Sequence, residues 1–127
     1  MCTFCKASEK TIVHLFYECE HTKQFLLSLK EFIENKCSHI SELNCSKHDI
    51  LFGITNTVKV DTILNFIILI AKRYIYTSRY KNLPLNITNF KNNLKFYYNI
   101  EKNVQYSQCN WKAFKKRWLL YEELVKD

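Results

Sequence analysis

The chain has 127 residues, with 19 Lys and Arg against 12 Asp and Glu, which gives a formal net charge of +7. A chain of this length forms one compact unit that buries about two thirds of the surface its unfolded form exposes, and its charge favours polyanionic partners. Six cysteines without a signal peptide favour reduced thiols and metal ligands over the disulfide framework of a secreted protein. We expect an intracellular protein, cytoplasmic or nuclear.

The N-terminal segment carries four residues of metal-ligand type at the spacing C-x2-C-x8-H-x4-C: Cys2, Cys5, His14 and Cys19. Zn²⁺ prefers a tetrahedron of thiolate and imidazole ligands, and a C-x2-C pair lets two thiolates of one tight turn reach the same ion. Residues 11–19 are expected to form a strand end or a short helix whose bend brings His14 and Cys19 together. The spacing therefore predicts a zinc knuckle over residues 1–21, with His21 as an alternative fourth ligand. The competing interpretation is a set of ordinary buried cysteines with a surface histidine.

Residues 22–127 are predicted to form a helical bundle packed on the knuckle, so that the fold is all-α. A single glycine and a single proline leave few places to turn, and the apolar spacing is helical almost throughout. Thr22 is expected to cap a first helix that ends at about Cys37. A brief second helix is expected over residues 50–52, with Gly53 as its C-terminal stop.

The longest helix is predicted to begin after Asp61 and to continue to about Tyr80, before Leu83 and Pro84 interrupt it. Its apolar residues cover most of its circumference, which places it at the centre of the bundle. The apolar run over residues 63–71 is far shorter than the roughly 20 residues of a membrane span. It therefore predicts a buried helix and no membrane partner.

Two helices are predicted beyond Pro84. Thr88 is expected to cap the first, which runs to about Tyr106 with five residues facing inward: Phe90, Leu94, Tyr97, Tyr98 and Val104. The second carries a stripe at three- and four-residue steps that favours a core face over a base-stacking platform: Trp111, Phe114, Trp118, Tyr121 and Val125. Cys109 is expected to be a small buried hydrophobe, and the asparagines of residues 86–93 are interpreted as compositional bias.

A second group of ligand-type residues has the spacing C-x-H-x5-C-x2-H: Cys37, His39, Cys45 and His48. This spacing is poor for zinc, because C-x-H seldom lets both side chains face one ion, so free thiols and solvent-exposed histidines are favoured. The carboxylates are scattered along charged helix faces, and no pair suggests an acid–base couple or a two-metal site. We therefore expect no enzyme and no small-molecule substrate.

Basic residues form two clusters, one at the central helix and one on the last: Lys72, Arg73, Arg79 and Lys81, then Lys112, Lys115, Lys116 and Arg117. Tyrosines interleaved with these charges could stack on unpaired bases, as in proteins that hold single-stranded nucleic acid: Tyr74, Tyr76, Tyr80, Tyr97 and Tyr98. The alternative is that lysines on a helical bundle simply face water.

Several segments carry a resemblance to a known family. They are CTFC at residues 2–5, HLFYEC at residues 14–19 and TKQF at residues 22–25, followed in order by stretches at residues 50–53, 65–76, 90–94 and 111–118. Together they resemble the zinc-binding segment and the following tail at the C-terminus of LINE-type (non-LTR) retrotransposon reverse transcriptases. Since no endonuclease or polymerase domain precedes Met1, the resemblance implies a detached or truncated tail without catalytic residues.

Such a tail is expected to hold template RNA or single-stranded target DNA, with the upstream reverse transcriptase domain as a second candidate partner. The sequence thus predicts a zinc-binding and nucleic-acid-binding module. The alternatives are a zinc-stabilised protein-interaction module and a non-functional retroelement relic.

Overall fold

A computed structural model describes Thr11, residues 14–37 and residues 62–125, and every regular element within these ranges is helical. A π-helical turn, His14–Glu18, precedes helix α1 at Glu20–Lys36. Helix α2 spans Thr62–Tyr80, α3 spans Ile87–Ser107, α4 spans Trp111–Trp118, and a 3₁₀ helix follows at Leu119–Leu124. The all-α prediction is confirmed for this part of the chain, whereas residues 1–10 of the predicted knuckle, the short helix at residues 50–52 and the cap Asp61 lie outside it.

Helix α1 starts earlier than its predicted cap. Cys19 is the N-cap residue, with an extended backbone and no side-chain capping hydrogen bond. Thr22 lies in the first helical turn, fully buried, and its hydroxyl donates to the carbonyl oxygen of Leu15 at 2.6 Å. The prediction that Thr22 caps α1 is therefore wrong, because this side chain ties the helix to the preceding turn. The predicted end near Cys37 is confirmed.

Helix α2 buries more residues than any other described helix, so the predicted buried helix is confirmed. Nine of its residues are buried, and they lie on one broad face: Ile63, Leu64, Ile67, Ile68, Ile70, Ala71, Tyr74, Ile75 and Ser78. The helix packs against α3 and against the π-helical turn. No helix in the described ranges is long and apolar enough to cross a membrane.

Two groups of aromatic rings hold α2 between its neighbours. The first joins three helices at centroid distances of 5.3 to 6.1 Å: Phe25 of α1, Tyr74 of α2 and Phe90 of α3. In the second, Trp118 lies edge-on to Phe66 of α2 at 5.8 Å and packs on Tyr98 of α3 at 4.8 Å. Such pairs contribute about 0.5–1.5 kcal/mol each beyond their burial, so the rings fix both halves of α2.

Helix α2 ends in a Schellman motif. Asn82 has a positive φ of 55°. The N–H of Leu83 donates to the Ser78 carbonyl at 2.8 Å, and the N–H of Asn82 donates to the Arg79 carbonyl at 3.2 Å. This is the bonding pattern that satisfies the last carbonyls of a helix, and proline often follows it because proline cannot continue the helix.

Helix α3 ends in the same way, with Cys109 in the left-handed region at a φ of 59°. Asn110 and Cys109 donate to the carbonyls of Gln105 and Tyr106 at 2.8 and 3.1 Å. Cys109 is exposed, so the prediction of a buried hydrophobe is wrong. Its position is set by the geometry of the turn between α3 and α4.

The start of α3 is fixed by Asn86 rather than by Thr88. The Oδ1 of Asn86 accepts a hydrogen bond from the Thr88 N–H at 2.7 Å. The backbone of the same asparagine is bound by the Tyr74 hydroxyl, which accepts from its N–H at 2.8 Å and donates to its carbonyl at 3.1 Å. The connection between α2 and α3 is thereby held at both of its ends.

Most of the predicted inward faces of α3 and α4 are confirmed. Five of these residues are buried: Phe90, Leu94, Phe114, Trp118 and Tyr121. Tyr97, Tyr98 and Val125 are half-buried against the core. The assignments of Val104 and Trp111 are wrong, because these side chains are 45% and 42% exposed at the end of α3 and the beginning of α4, beyond the core.

Candidate metal centre and nucleic-acid interface

His14 and Cys19 are joined by the π-helical turn. The Cys19 N–H donates to the His14 carbonyl at 2.7 Å, which is the i→i+5 hydrogen bond of a π-helical turn. Thr11 fixes the start of the turn, since its Oγ1 accepts from the His14 N–H at 3.1 Å. Both predicted ligands are buried, Cys19 completely and His14 to 9% exposure. π-helical turns are rare in proteins, and many of those that occur lie at functional sites.

The turn carries two of the four predicted zinc ligands, His14 and Cys19. An i→i+5 hydrogen bond brings the backbone of Cys19 back to that of His14 after one turn, and a thiolate and an imidazole are ligands that zinc prefers. Cys2 and Cys5 lie outside the described residues. Among the residues that are described, no group of three or more His, Cys, Asp or Glu side chains lies together, so the complete site stays a prediction.

The other ligand-type residues lie away from the turn or outside the described ranges. His21 is exposed on α1, where it lines a cavity of about 200 Å³ together with Pro84 and Leu85. Cys37 is buried at the opposite end of α1 from Cys19. The remaining members of the second group have no described position: His39, Cys45 and His48.

The four predicted cations of α2 separate onto two sides of the helix. Lys72 lies over the Phe16 ring at 5.6 Å, and Arg79 lies over the Tyr76 ring at 5.9 Å. A cation over a ring contributes about 0.5–1 kcal/mol at an exposed site. Lys72 therefore helps to hold α2 on the π-helical turn. Neither Lys72 nor Arg79 lies in the groove between α2 and α3, which Arg73 and Lys81 line.

Arg73 and Lys81 line a groove between α2 and α3, which we call the α2–α3 groove. It consists of two adjoining cavities of about 320 and 190 Å³. The larger lies where α2 ends and α3 begins, beside Leu83 and Pro84, and the smaller extends to Arg73 and Tyr97. Four residues line both: Tyr74, Thr77, Lys81 and Asn93. Because Arg73, Thr77 and Lys81 recur every four residues, one face of α2 presents them to the groove.

The lining of the groove is cationic and rich in amides. None of the described residues that line its cavities is acidic. The Arg73 guanidinium lies over the Tyr97 ring at 5.7 Å. Within residues 14–37 and 62–125, the Lys81 ammonium makes no ion pair, and three carboxamides of α3 make no hydrogen bond: those of Asn89, Asn92 and Asn93. The groove therefore offers positive charge and unused hydrogen-bonding groups together.

Exposed aromatic rings stand next to this groove. Phe96 is 58% exposed and packs against Tyr97 at a centroid distance of 5.4 Å. On α2, Tyr80 is 81% exposed and directly precedes Lys81. Aromatic faces beside cations are the combination by which single-stranded nucleic acids are held without sequence readout.

The second basic cluster lies on the outer face of α4, and all four of its residues are exposed. Lys112 and Lys115 lie over the Trp111 ring at 5.9 and 5.1 Å. Arg117 forms an ion pair with Glu101 of α3 at 3.1 Å. Three of the four predicted cations are thus engaged with neighbouring side chains, in contrast to Lys81.

Carboxylates also surround α4. The pKa of the Tyr98 phenol, which packs beneath this helix, is raised above its ordinary value first by burial and then by the negative charge of Glu122. Tyr106 and Glu101 add smaller contributions in the same direction. Glu101 and Glu122 therefore lie near the α4 cluster, whereas no described residue that lines the α2–α3 groove is acidic.

The asparagines of the groove are functional candidates that the sequence analysis missed. They occur in a stretch that had been interpreted as compositional bias, residues 86–93. The available signal is their spacing, because Asn89, Asn92 and Asn93 follow at three- and four-residue steps and so share one face of a helix. Only the position of α2 turns that face into one wall of a groove.

Comparison of the chain with protein-family models, with curated proteins and with solved structures found no match.

Proposed function

We propose that this chain is a zinc-stabilised helical module that binds single-stranded nucleic acid, of the kind found in the C-terminal tail of LINE-type retrotransposon reverse transcriptases. The α2–α3 groove is the binding surface, and the module contributes no catalytic residue. RNA or single-stranded DNA is the partner, with the upstream reverse transcriptase domain as a second one. The resemblance in sequence and the groove are two independent supports for this proposal.

The observation that carries the nucleic-acid part is the juxtaposition of Arg73 and Lys81 along a groove whose described lining contains no carboxylate. Phosphate oxygens are attracted by such a pair, and the adjoining rings of Tyr97 and Phe96 supply faces for unpaired bases. The α4 cluster has a subordinate role, because Arg117 is paired with Glu101, whereas Arg73 and Lys81 are paired with no carboxylate among the described residues.

Zinc has a structural role in this proposal. Cys2, Cys5, His14 and Cys19 would hold the ion, which supplies no chemistry beyond linking the N-terminal segment to the π-helical turn. The buried thiol and imidazole at the two ends of that turn support this assignment. The Thr22 hydroxyl of α1 is bonded to the turn, and Lys72 of α2 lies over the Phe16 ring of the turn. A metal bound at the turn would therefore stabilise the contacts that the turn makes with α1 and α2.

The nucleic-acid proposal is tested by the binding of a fluorescently labelled single-stranded RNA, measured by polarisation at salt concentrations of about 50 to 200 mM. Each phosphate contact to a single strand contributes about 0.7 to the slope of log affinity against log salt. One phosphate held by the two groove cations therefore predicts a slope of at least about 0.7 in magnitude. Absence of binding to single-stranded RNA and DNA at the lowest salt would overturn the proposal.

The zinc proposal is tested by metal analysis of the wild-type chain and of two cysteine variants purified without chelator. Cys19→Ser removes a predicted ligand, and Cys37→Ser is its matched control, because Cys37 is an equally buried cysteine at the other end of α1. We expect one zinc per chain in the wild type and in the control, and loss of zinc in Cys19→Ser. Wild-type protein without zinc, or equal zinc in the two variants, contradicts the assignment.

Removal of zinc should unfold the N-terminal segment and leave most of the bundle intact. Structural zinc contributes on the order of 10 kcal/mol to the folding of short finger peptides, whereas α1 to α4 bury their own apolar core. The measurement is helical circular dichroism before and after addition of EDTA. Loss of most of the helical signal would show that the metal and the bundle form one cooperative unit.

A specific observation favours a second function, the docking of another protein. Three apolar residues at four-residue steps form an exposed stripe on α3: Phe96, Ile100 and Val104 are 58%, 45% and 45% exposed. Exposed apolar residues that are contiguous often mark interaction sites. If single-stranded RNA and DNA do not bind, this stripe makes a zinc-stabilised protein-interaction module the better interpretation.

A further inference from the structure

The larger cavity of the α2–α3 groove has the size of a site for one small group. It measures about 320 Å³, at the lower end of the range of about 300–1,000 Å³ that small-molecule sites occupy. It is bounded by the last turns of α2, by Leu83 and Pro84, and by the first turns of α3.

The polar side chains that remain for a ligand in this cavity are three carboxamides, the Ser78 hydroxyl and the Lys81 ammonium. The Tyr74 hydroxyl is already bonded to the backbone of Asn86 in both directions. The Thr77 hydroxyl donates to the Arg73 carbonyl at 2.9 Å. Three asparagine side chains lining the cavity have no hydrogen-bond partner among the described residues: Asn89, Asn92 and Asn93. A carboxamide presents a donor beside an acceptor, which is the pattern found on the edges of nucleotide bases.

The smaller cavity adds positive charge next to these carboxamides. It measures about 190 Å³ and is lined by Arg73 and Lys81. Lys81 and Asn93 line both cavities and therefore lie at their junction. Arg73 and Lys81 are two helical turns apart on α2, about 12 Å along the axis, so an anion between them adjoins a group held in the larger cavity.

We propose that the α2–α3 groove accepts one extruded base of a single-stranded nucleic acid in its larger cavity and the phosphate of the same nucleotide in its smaller one. The asparagine carboxamides bind the edge of the base, and Leu83 and Pro84 pack against its face. Arg73 and Lys81 bind the phosphate. This inference rests on the proposed nucleic-acid function and adds to it hydrogen bonds to the edge of one base, which neither phosphate contacts nor stacking supply.

The test compares two labelled probes and two double variants. One probe is a single-stranded RNA of about ten nucleotides, within the range of single-strand site sizes, and the other is the same sugar–phosphate chain without bases. Asn92→Ala/Asn93→Ala removes two groove carboxamides and keeps the helix, because alanine is a strong helix former. Asn99→Ala/Asn103→Ala is the matched control, since both asparagines are exposed on α3 and line neither cavity.

We expect the wild type and the control to bind the base-containing RNA at least about fivefold more tightly than the abasic chain, the discrimination of one good carboxamide–base pair. In Asn92→Ala/Asn93→Ala this preference should fall by about fivefold, to the part that stacking on Phe96 and Tyr97 supplies, with binding of the abasic chain unchanged. Equal affinity of the wild type for both probes, or equal behaviour of the two double variants, overturns the base pocket while nucleic-acid binding stands. Absence of binding to either probe overturns the nucleic-acid function and the inference with it.

Discussion

The residues of the α2–α3 groove and those of the outer face of α4 show the same pattern in the sequence: in both, several basic residues are interleaved with aromatic ones. Their surroundings differ in the structure. Arg73 and Lys81 face a groove with no acidic residue in its described lining. On α4, by contrast, Arg117 is paired with Glu101, and the pKa of Tyr98 beneath the helix is raised in part by Glu122.

The comparison shows that the number of cations on a helix is a poor guide to an anion-binding surface. A cation that is already paired must give up its partner to bind phosphate, and the attraction of an exposed pair is small and screened by salt. Arg73 and Lys81 have no carboxylate partner among the described residues to give up. The difference between the two surfaces therefore predicts different effects for equal changes of charge.

The largest expected effect follows from removing two charges from each surface in turn. Arg73→Gln/Lys81→Gln should reduce the salt slope of RNA binding by about 0.7, since one single-strand phosphate contact is lost. Lys112→Gln/Lys115→Gln changes the net charge equally and should leave the slope almost unchanged. Fluorescence polarisation of both variants across a salt series measures the two slopes. A larger change in the α4 variant would reverse the assignment of the surfaces.

A smaller effect is expected at the C-terminal ends of α2 and α3, because each helix is followed by a residue in the left-handed region, Asn82 and Cys109. Cys109→Gly should raise the free energy of unfolding by about 1 kcal/mol, since a non-glycine residue pays a steric cost in this region. Asn82→Gly should raise it less, because asparagine tolerates the left-handed conformation. Chemical denaturation followed by circular dichroism measures both changes. Equal gains, or a loss in Cys109→Gly, would contradict the turn geometry of Cys109.

The smallest effect concerns the ion pair between Arg117 and Glu101. Glu101→Gln frees Arg117, and the loss of an exposed pair should cost at most about 1 kcal/mol of stability. RNA affinity should change no more than in Glu31→Gln, which alters the net charge equally at an exposed position of α1. Polarisation assays of the two variants make this comparison. Tighter binding in Glu101→Gln than in Glu31→Gln would identify α4 as a binding surface that the ion pair holds back.

Sequence patterns predicted the helices better than their ends. The bounds of α2 follow from its apolar periodicity and from Leu83 and Pro84, and the confirmed end of α1 near Cys37 follows in the same way. The caps at Thr22 and Thr88 were wrong because Ser, Thr, Asn and Asp compete for such positions on local propensity alone. Tertiary contacts decided the outcome. The hydroxyl of Thr22 is bonded to the Leu15 carbonyl, and the Tyr74 hydroxyl holds the backbone of Asn86 at the capping position.

The sequence by itself determined the helical class of the described residues, the burial of α2 and the aromatic core face of α4. These properties follow from the local spacing of side chains along a helix or a turn, which folding preserves. Only the tertiary structure decided which cations share a groove with unused carboxamides and which are paired with carboxylates. That distinction depends on contacts between residues of different helices, such as Arg73 with Tyr97 and Arg117 with Glu101, and no local pattern encodes them.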